Sequence, residues 1–393
     1  MPVHRIDPPL SPFEQSLQAR TGRSSFSWGL LAALGVFALA ARYLGPTWLR
    51  VFEATGIRTL DDWTALLAAL FAAIVVHEAG HLVAAVALDF DVLGGSLGPV
   101  RAIRLHRSWS FQLSSNLFSG SVIAIPRNES NWRARMLTVV AAGPLATFFS
   151  GFLAALLVLK SGVPDDVLTR FLAGFVELNF FLFVFGLIPN SPASRLANDA
   201  RLFYSFLRIT SEANQILLYH LVTQLQIAGM RPRDYPERIV RKLAIARGRP
   251  EMCSVYANAI ALWAIDRGDI HSADAWDKRA LDLSDFCAIK QQNSALAASA
   301  CFDVIFRDDI RAARGKFAEV QLSILSPLWL RYRIAAAYWI AARNVPAALA
   351  EIARARYSFP HRLPYYDFER LLLTTLHRKA IALQPDDLAP RVA

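Results

Sequence analysis

Val75-Val76-His77-Glu78-Ala79-Gly80-His81-Leu82-Val83 lies inside an apolar run from Trp63 to Leu88. A run of that length predicts a membrane-spanning helix. On a helix, His77 and His81 are four apart and project from one face. His-Glu-x-x-His at this spacing suits two neutral imidazole nitrogens on one zinc ion, with Glu78 placed as general base toward water. Ionisable side chains at membrane depth are costly and mark a site or a relay. Three within one helical turn need a shared partner, and a divalent metal is the simplest. At 1.5 Å per residue, His77 falls ~21 Å from Trp63, about two-thirds of the way across the hydrocarbon layer.

The 393 residues are 54% hydrophobic and 19% charged, too apolar for an ordinary soluble chain and too charged for a purely membrane one. The long apolar runs fill the first half, and a charged, helix-forming sequence fills the second. We therefore expect a membrane part to about Asp199 and a soluble part after it. The net charge of +10 does not point to nucleic acid. Its arginines, among them Arg101, Arg104, Arg107, Arg127, Arg133 and Arg135, flank the apolar segments, as the positive-inside rule and contact with anionic lipid headgroups require. Cys253, Cys287 and Cys301 all fall in the second half and lack metal-ligand spacing, which suits reduced thiols in a cytosolic domain.

In chain order, residues 1–25 read as a polar cytosolic tail and 26–62 as an anchor helix and external loop. The anchor, Phe26 to Leu44, contains Ala38-Leu39-Ala40, which looks like a signal-peptidase site, but the preceding tail is long for a signal peptide. Residues 63–205 form the expected core. Asp89 to Asn131, with Ser119-Gly120-Ser121-Val122-Ile123-Ala124-Ile125-Pro126, reads as short strands or a hairpin at the membrane surface. Further spans are expected at about Ala134 to Leu159 and Val167 to Pro189, making about four in all. Ala141-Ala142-Gly143-Pro144-Leu145-Ala146-Thr147 brings small residues for close helix approach and a proline kink. Glu177 and Asn179 sit at membrane depth, where each either bonds a neighbouring helix or reaches the site. Two histidines leave a tetrahedral site short, and Asp199 is the best third ligand. Asp199 also stands where a helix N-cap belongs, a role Asn198 can fill as well.

Residues 206–250 read as linker helices and 251–393 as helical hairpins. The first pairs Ala257–Asp266 with Ser272–Leu283 through Gly268-Asp269. The second pairs Ser294–Phe306 with Ile310–Val320 through Asp308-Asp309. The third pairs Tyr332–Ala342 with Pro346–Arg356 through Asn344-Val345. A period of about 35 to 40 residues suggests tetratricopeptide-like stacking and a cytosolic protein partner. His220, His271, His361 and His377 are scattered and read as surface or core residues.

The membrane half resembles the site-2 protease family of intramembrane zinc metalloproteases. The resemblance is carried by His77-Glu78-Ala79-Gly80-His81, by Ala142-Gly143-Pro144-Leu145-Ala146, and by Leu187-Ile188-Pro189 leading to Asp199. It covers about Trp63 to Leu202. It implies a mostly helical fold with a three-helix catalytic core, one zinc ion per chain on His77, His81 and Asp199, and Glu78 as base. It also implies cleavage of transmembrane segments within the bilayer, often in signalling. Three positions depart from the family pattern: Gly186 where N-x-x-P has asparagine, Ala200 where glycine follows the aspartate, and Thr147 where asparagine is frequent. Asn179 and Asn190 are the candidates to take over substrate positioning. A competing reading is an inactive membrane adaptor that recruits partners through its helical repeats. Arginine-rich segments place both termini in the cytosol, with the inner membrane of a bacterium as the expected location.

Overall fold

The computed structural model describes residues 60–105, 108–113, 120–128, 130–161, 167–189, 198–207, 211–325, 327–359 and 365–383. The expected first span, Phe26 to Leu44, lies outside them, as does Asn190. The chain divides into two compact units, one ending at Gln224 and the other beginning at Leu225.

Among the described residues, the first unit contains three helices long and apolar enough to cross a membrane. They are α1 (Leu60–Ala87), α2 (Trp132–Ser161) and α3 (Val167–Gly186). On α1 a ridge of every fourth residue runs Ala65, Ala69, Ala73, His77, His81, Ala85. Its alanines and His81 are buried. Small residues along an i±4 ridge let neighbouring helices approach closely. The bundle core is built on this ridge, with Ala69 and Ala73 against Ala154 and Val158 of α2 and Ala173, Phe175 and Val176 of α3. The histidines continue the same ridge and so face inward. Leu67, Phe71, Phe149, Leu153, Leu157, Phe181 and Phe185 point outward and exposed, the pattern of helices solvated by lipid. Asp62 near the start of α1 accepts from Arg170 near the start of α3 at 2.6 Å, so these two helices run parallel.

Between α1 and α2 lies the strand segment, an antiparallel sheet of β1 (Phe90–Leu97), β2 (Val100–Leu105), β3 (Ser108–Leu113) and β4 (Gly120–Pro126). Its order is β3-β2-β1-β4, so β4 is an edge strand. Asp89 and Asn131, both with positive φ, turn the chain into and out of this segment. Aspartate and asparagine tolerate that conformation better than most residues. Arg135 of α2 locks the junction by donating to the Leu88 and Asp89 carbonyls and to Asn128 Oδ1. It thereby satisfies carbonyls left over at the end of α1. After α3, Leu187 and Ile188 form a last turn before Pro189, and a short helix α4 (Asp199–Leu207) and helix α5 (Ser211–Ile227) follow.

The second unit is helical. After α6 (Glu237–Ile245), α7 (Pro250–Asp266) pairs with α8 (Ile270–Ser284). Helix α9 (Ile289–Phe302), extended by a π-helical turn at Asp303–Arg307, pairs with α10 (Ile310–Glu319). Helix α11 (Leu328–Ala341) pairs with α12 (Val345–Ser358), and α13 (Tyr365–Ala382) closes the unit. The three hairpins turn in one way. A residue with positive φ (Gly268, Asp308, Arg343) precedes an N-cap (Asp269, Asp309, Asn344) whose side chain accepts from the backbone N–H three residues on.

Candidate metal centre

Three side chains from two elements, α1 and α4, converge late in α1. His77 Nε2 lies 3.0 Å from Asp199 Oδ2, His81 Nε2 lies 3.2 Å from the same oxygen, and the two Nε2 atoms are 3.2 Å apart. Tetrahedral zinc with ligands at about 2.0–2.2 Å places its donor atoms about 3.3–3.6 Å from one another, close to these separations. The donor set and its spacing therefore fit that ion. Among the described residues no other group of three histidines, cysteines or carboxylates converges this way.

Each donor is held from behind. Nδ1 of His81 is 2.8 Å from the Val139 carbonyl of α2. A carbonyl only accepts, so that nitrogen carries the proton and Nε2 presents its lone pair. Val139 lies one turn before Pro144, which has no N–H to give the Val140 carbonyl four residues back. Nδ1 of His77 meets Thr147 Oγ1 at 2.9 Å. The two rings meet edge to face, 4.9 Å between centroids. Gly143 packs on the His81 ring so closely that an added Cβ would collide with it.

Asp199 is positioned by its own short helix. Asn198, and not Asp199, is the N-cap: its Oδ1 accepts from Arg201 N at 3.1 Å and its carbonyl from Leu202 N at 3.0 Å. The Asn198 amide also donates to the Ile188 carbonyl, tying α4 to the end of α3. At the other end Arg133 of α2 donates to the Phe206 carbonyl at 2.7 Å. With its helix clamped at both ends, the Asp199 carboxylate is free to face the histidines.

Glu78 sits beside the cluster against β4. Its Oε2 is buried and makes no hydrogen bond. Gly120, the first residue of β4, lies against this carboxylate, and a Cβ there would overlap it. Among the other candidates, Asn179 is buried, donates to the Phe175 carbonyl at 2.7 Å and meets Ser150 of α2. Ser150 in turn donates to the Thr147 carbonyl, so Asn179 stands one contact behind the His77 support. Glu177 is buried in α3, outside the three-donor cluster. His220 of α5, read from sequence as an ordinary surface or core residue, is buried enough to push its pKa down to about 4 against the opposing charge of Asp199. The supporting roles of Val139, Thr147, Gly120 and Arg133 have no sequence signature, because each depends on which helix face or strand end meets α1 or α4.

No curated protein and no solved structure matches the chain. A family model does, over residues 65–334, which is well over half of the sequence and includes both histidines, Glu78 and Asp199. On that match the chain belongs to peptidase family M50, the site-2 protease family of membrane metalloproteases.

Proposed function

We propose that this protein is a zinc-dependent intramembrane endopeptidase that cuts transmembrane segments of other membrane proteins, in regulated intramembrane proteolysis. One observation carries the reading: three donor atoms within 3.2 Å of one another, beside a buried carboxylate oxygen without a hydrogen bond, with two of the donors and that carboxylate on a helix able to span a bilayer. His77 Nε2, His81 Nε2 and the Asp199 carboxylate would hold one zinc ion. When bound, such an ion supplies Lewis-acid activation of water and of a peptide carbonyl. Glu78 takes the proton from the attacking water and returns it to the leaving amine nitrogen.

A transmembrane helix hides its peptide groups in internal hydrogen bonds and must unwind before it is cut. Edge strand β4 offers it a template. Among the described residues β4 pairs only with β1, and it begins at Gly120 against Glu78. An extended segment added to that edge runs past the base, with main-chain hydrogen bonds holding it. Asn179 and Asn190 are proposed to help position the substrate. The C-terminal hairpins are proposed to be tetratricopeptide-like and to recruit a cytosolic protein partner, with both termini in the cytosol of a bacterial inner-membrane protein.

Glu78→Gln tests the catalytic role. Glutamine is nearly isosteric and cannot accept the proton, so the variant should retain zinc and lose cleavage of a transmembrane reporter substrate. Cleavage close to wild type would remove Glu78 from the general-base role. An adaptor with no catalysis would show no wild-type cleavage that depends on the metal.

A further inference from the structure

We infer that Thr147 is a positioning residue that fixes the His77 tautomer, so that Nε2 is the atom this ring offers to a metal. The inference rests on the metalloprotease reading above. Thr147 is completely buried in α2. Its Oγ1 lies 3.0 Å from the Gly143 carbonyl one turn earlier and 2.9 Å from His77 Nδ1. The carbonyl has no proton to give, so the hydroxyl proton goes to Gly143. What the hydroxyl then turns toward His77 is a lone pair, and Nδ1 must carry the proton to bond with it. A neutral imidazole has one such proton, which leaves Nε2 bare.

A threonine inside a helix satisfies itself by bonding the carbonyl four residues back and needs no second partner. Here the second partner is the outer nitrogen of a ring whose inner nitrogen lies 3.0 Å from Asp199. Both histidines are thus oriented by α2, in two different ways. His81 uses a main-chain carbonyl, which substitution cannot remove, and His77 uses a side-chain hydroxyl, which substitution can. Thr147 is therefore a position where the ligand set can be loosened without touching a ligand.

The test compares Thr147→Val, Thr147→Ala and Thr147→Ser in the full-length protein in detergent. Zinc affinity is read by competition with a chromogenic chelator, and the unfolding temperature of the metal-free protein is read alongside. Val keeps the volume and Ala removes atoms, so one of them folds even where the other is poorly accommodated. Both should weaken zinc binding by about 10- to 100-fold, the usual effect of losing an outer-shell partner. Ser keeps the hydroxyl and should restore affinity to near wild type, with the metal-free unfolding temperature similar in all. Wild-type affinity in the Val and Ala proteins would overturn the inference. So would a Ser protein as weak as Val, because the methyl group's packing would then be responsible. Failure of the underlying reading looks different: the wild-type protein itself would not take up zinc.

Discussion

Gly143 and Gly186 make opposite predictions although both are glycines near the site. A Cβ at Gly143 would meet the His81 ring, which is already fixed by Val139 and cannot swing away. Gly143→Ala should therefore lower zinc affinity by at least about tenfold while the protein still folds, as chelator competition would show. At Gly186 nothing lies within 4 Å of an added Cβ. Gly186→Ala should change stability by less than about 0.5 kcal/mol and leave zinc affinity unchanged. Equal losses in the two variants would mean that the site tolerates no change nearby, rather than that Gly143 makes room for a ring. His77, Glu78 and His81 were legible in the sequence because i, i+4 spacing on a helix is a local fact. Asp199 was legible from the donor count of a tetrahedral site, and its alternative role as a cap passes to Asn198. Thr147 read only as a departure from a pattern, since a hydroxyl that serves a histidine 70 residues away leaves no trace in its own neighbourhood.

Among the elements, the helical hairpins were legible at their turns. Gly268-Asp269, Asp308-Asp309 and Asn344 supply the positive-φ residue, the cap or both, and these are short-range preferences. Asp309→Ala removes a cap and should cost about 0.5–2 kcal/mol in chemical denaturation of the helical half. The π-helical turn was not legible, and neither was what it carries. Arg307 at its end donates to Asp274 and Asp303 at 2.5 Å and to Asp277 at 3.0 Å, joining α8 to the second hairpin. Lys316 of α10 meets Asp303 at 2.7 Å and Ser299 at 2.8 Å, and Ser299 donates to Asp277. Each of these groups reads as a solvated helix charge until the hairpins stack. Arg307→Met leaves Asp277 buried without its cation and should cost about 3–5 kcal/mol, several times the effect of the cap. A smaller loss than that of Asp309→Ala would mean that the network does not hold the hairpins in register. The strand segment was legible as strands, but its order was not, because edge position depends on pairing between distant residues.

For the whole molecule, the parallel course of α1 and α3 is what allows a late residue of one and a residue beyond the end of the other to share a site. Of the about four expected spans, the three that fall among the described residues were legible to within a few residues, since length and apolarity alone define them. Under the arginine bias both spans run toward the cytosol, so a reporter fused after Ala393 should be active only there, and one inserted in residues 162–166 only outside. An external signal from the C-terminal fusion would reverse that orientation. The central claim is that His77, His81 and Asp199 make one metal site, and metal analysis of the purified full-length protein tests it most directly. The account predicts about one zinc per chain in the wild type and in Glu78→Gln, and a sharp loss in Asp199→Ala. Near-stoichiometric zinc in Asp199→Ala, or none in the wild type, would contradict it.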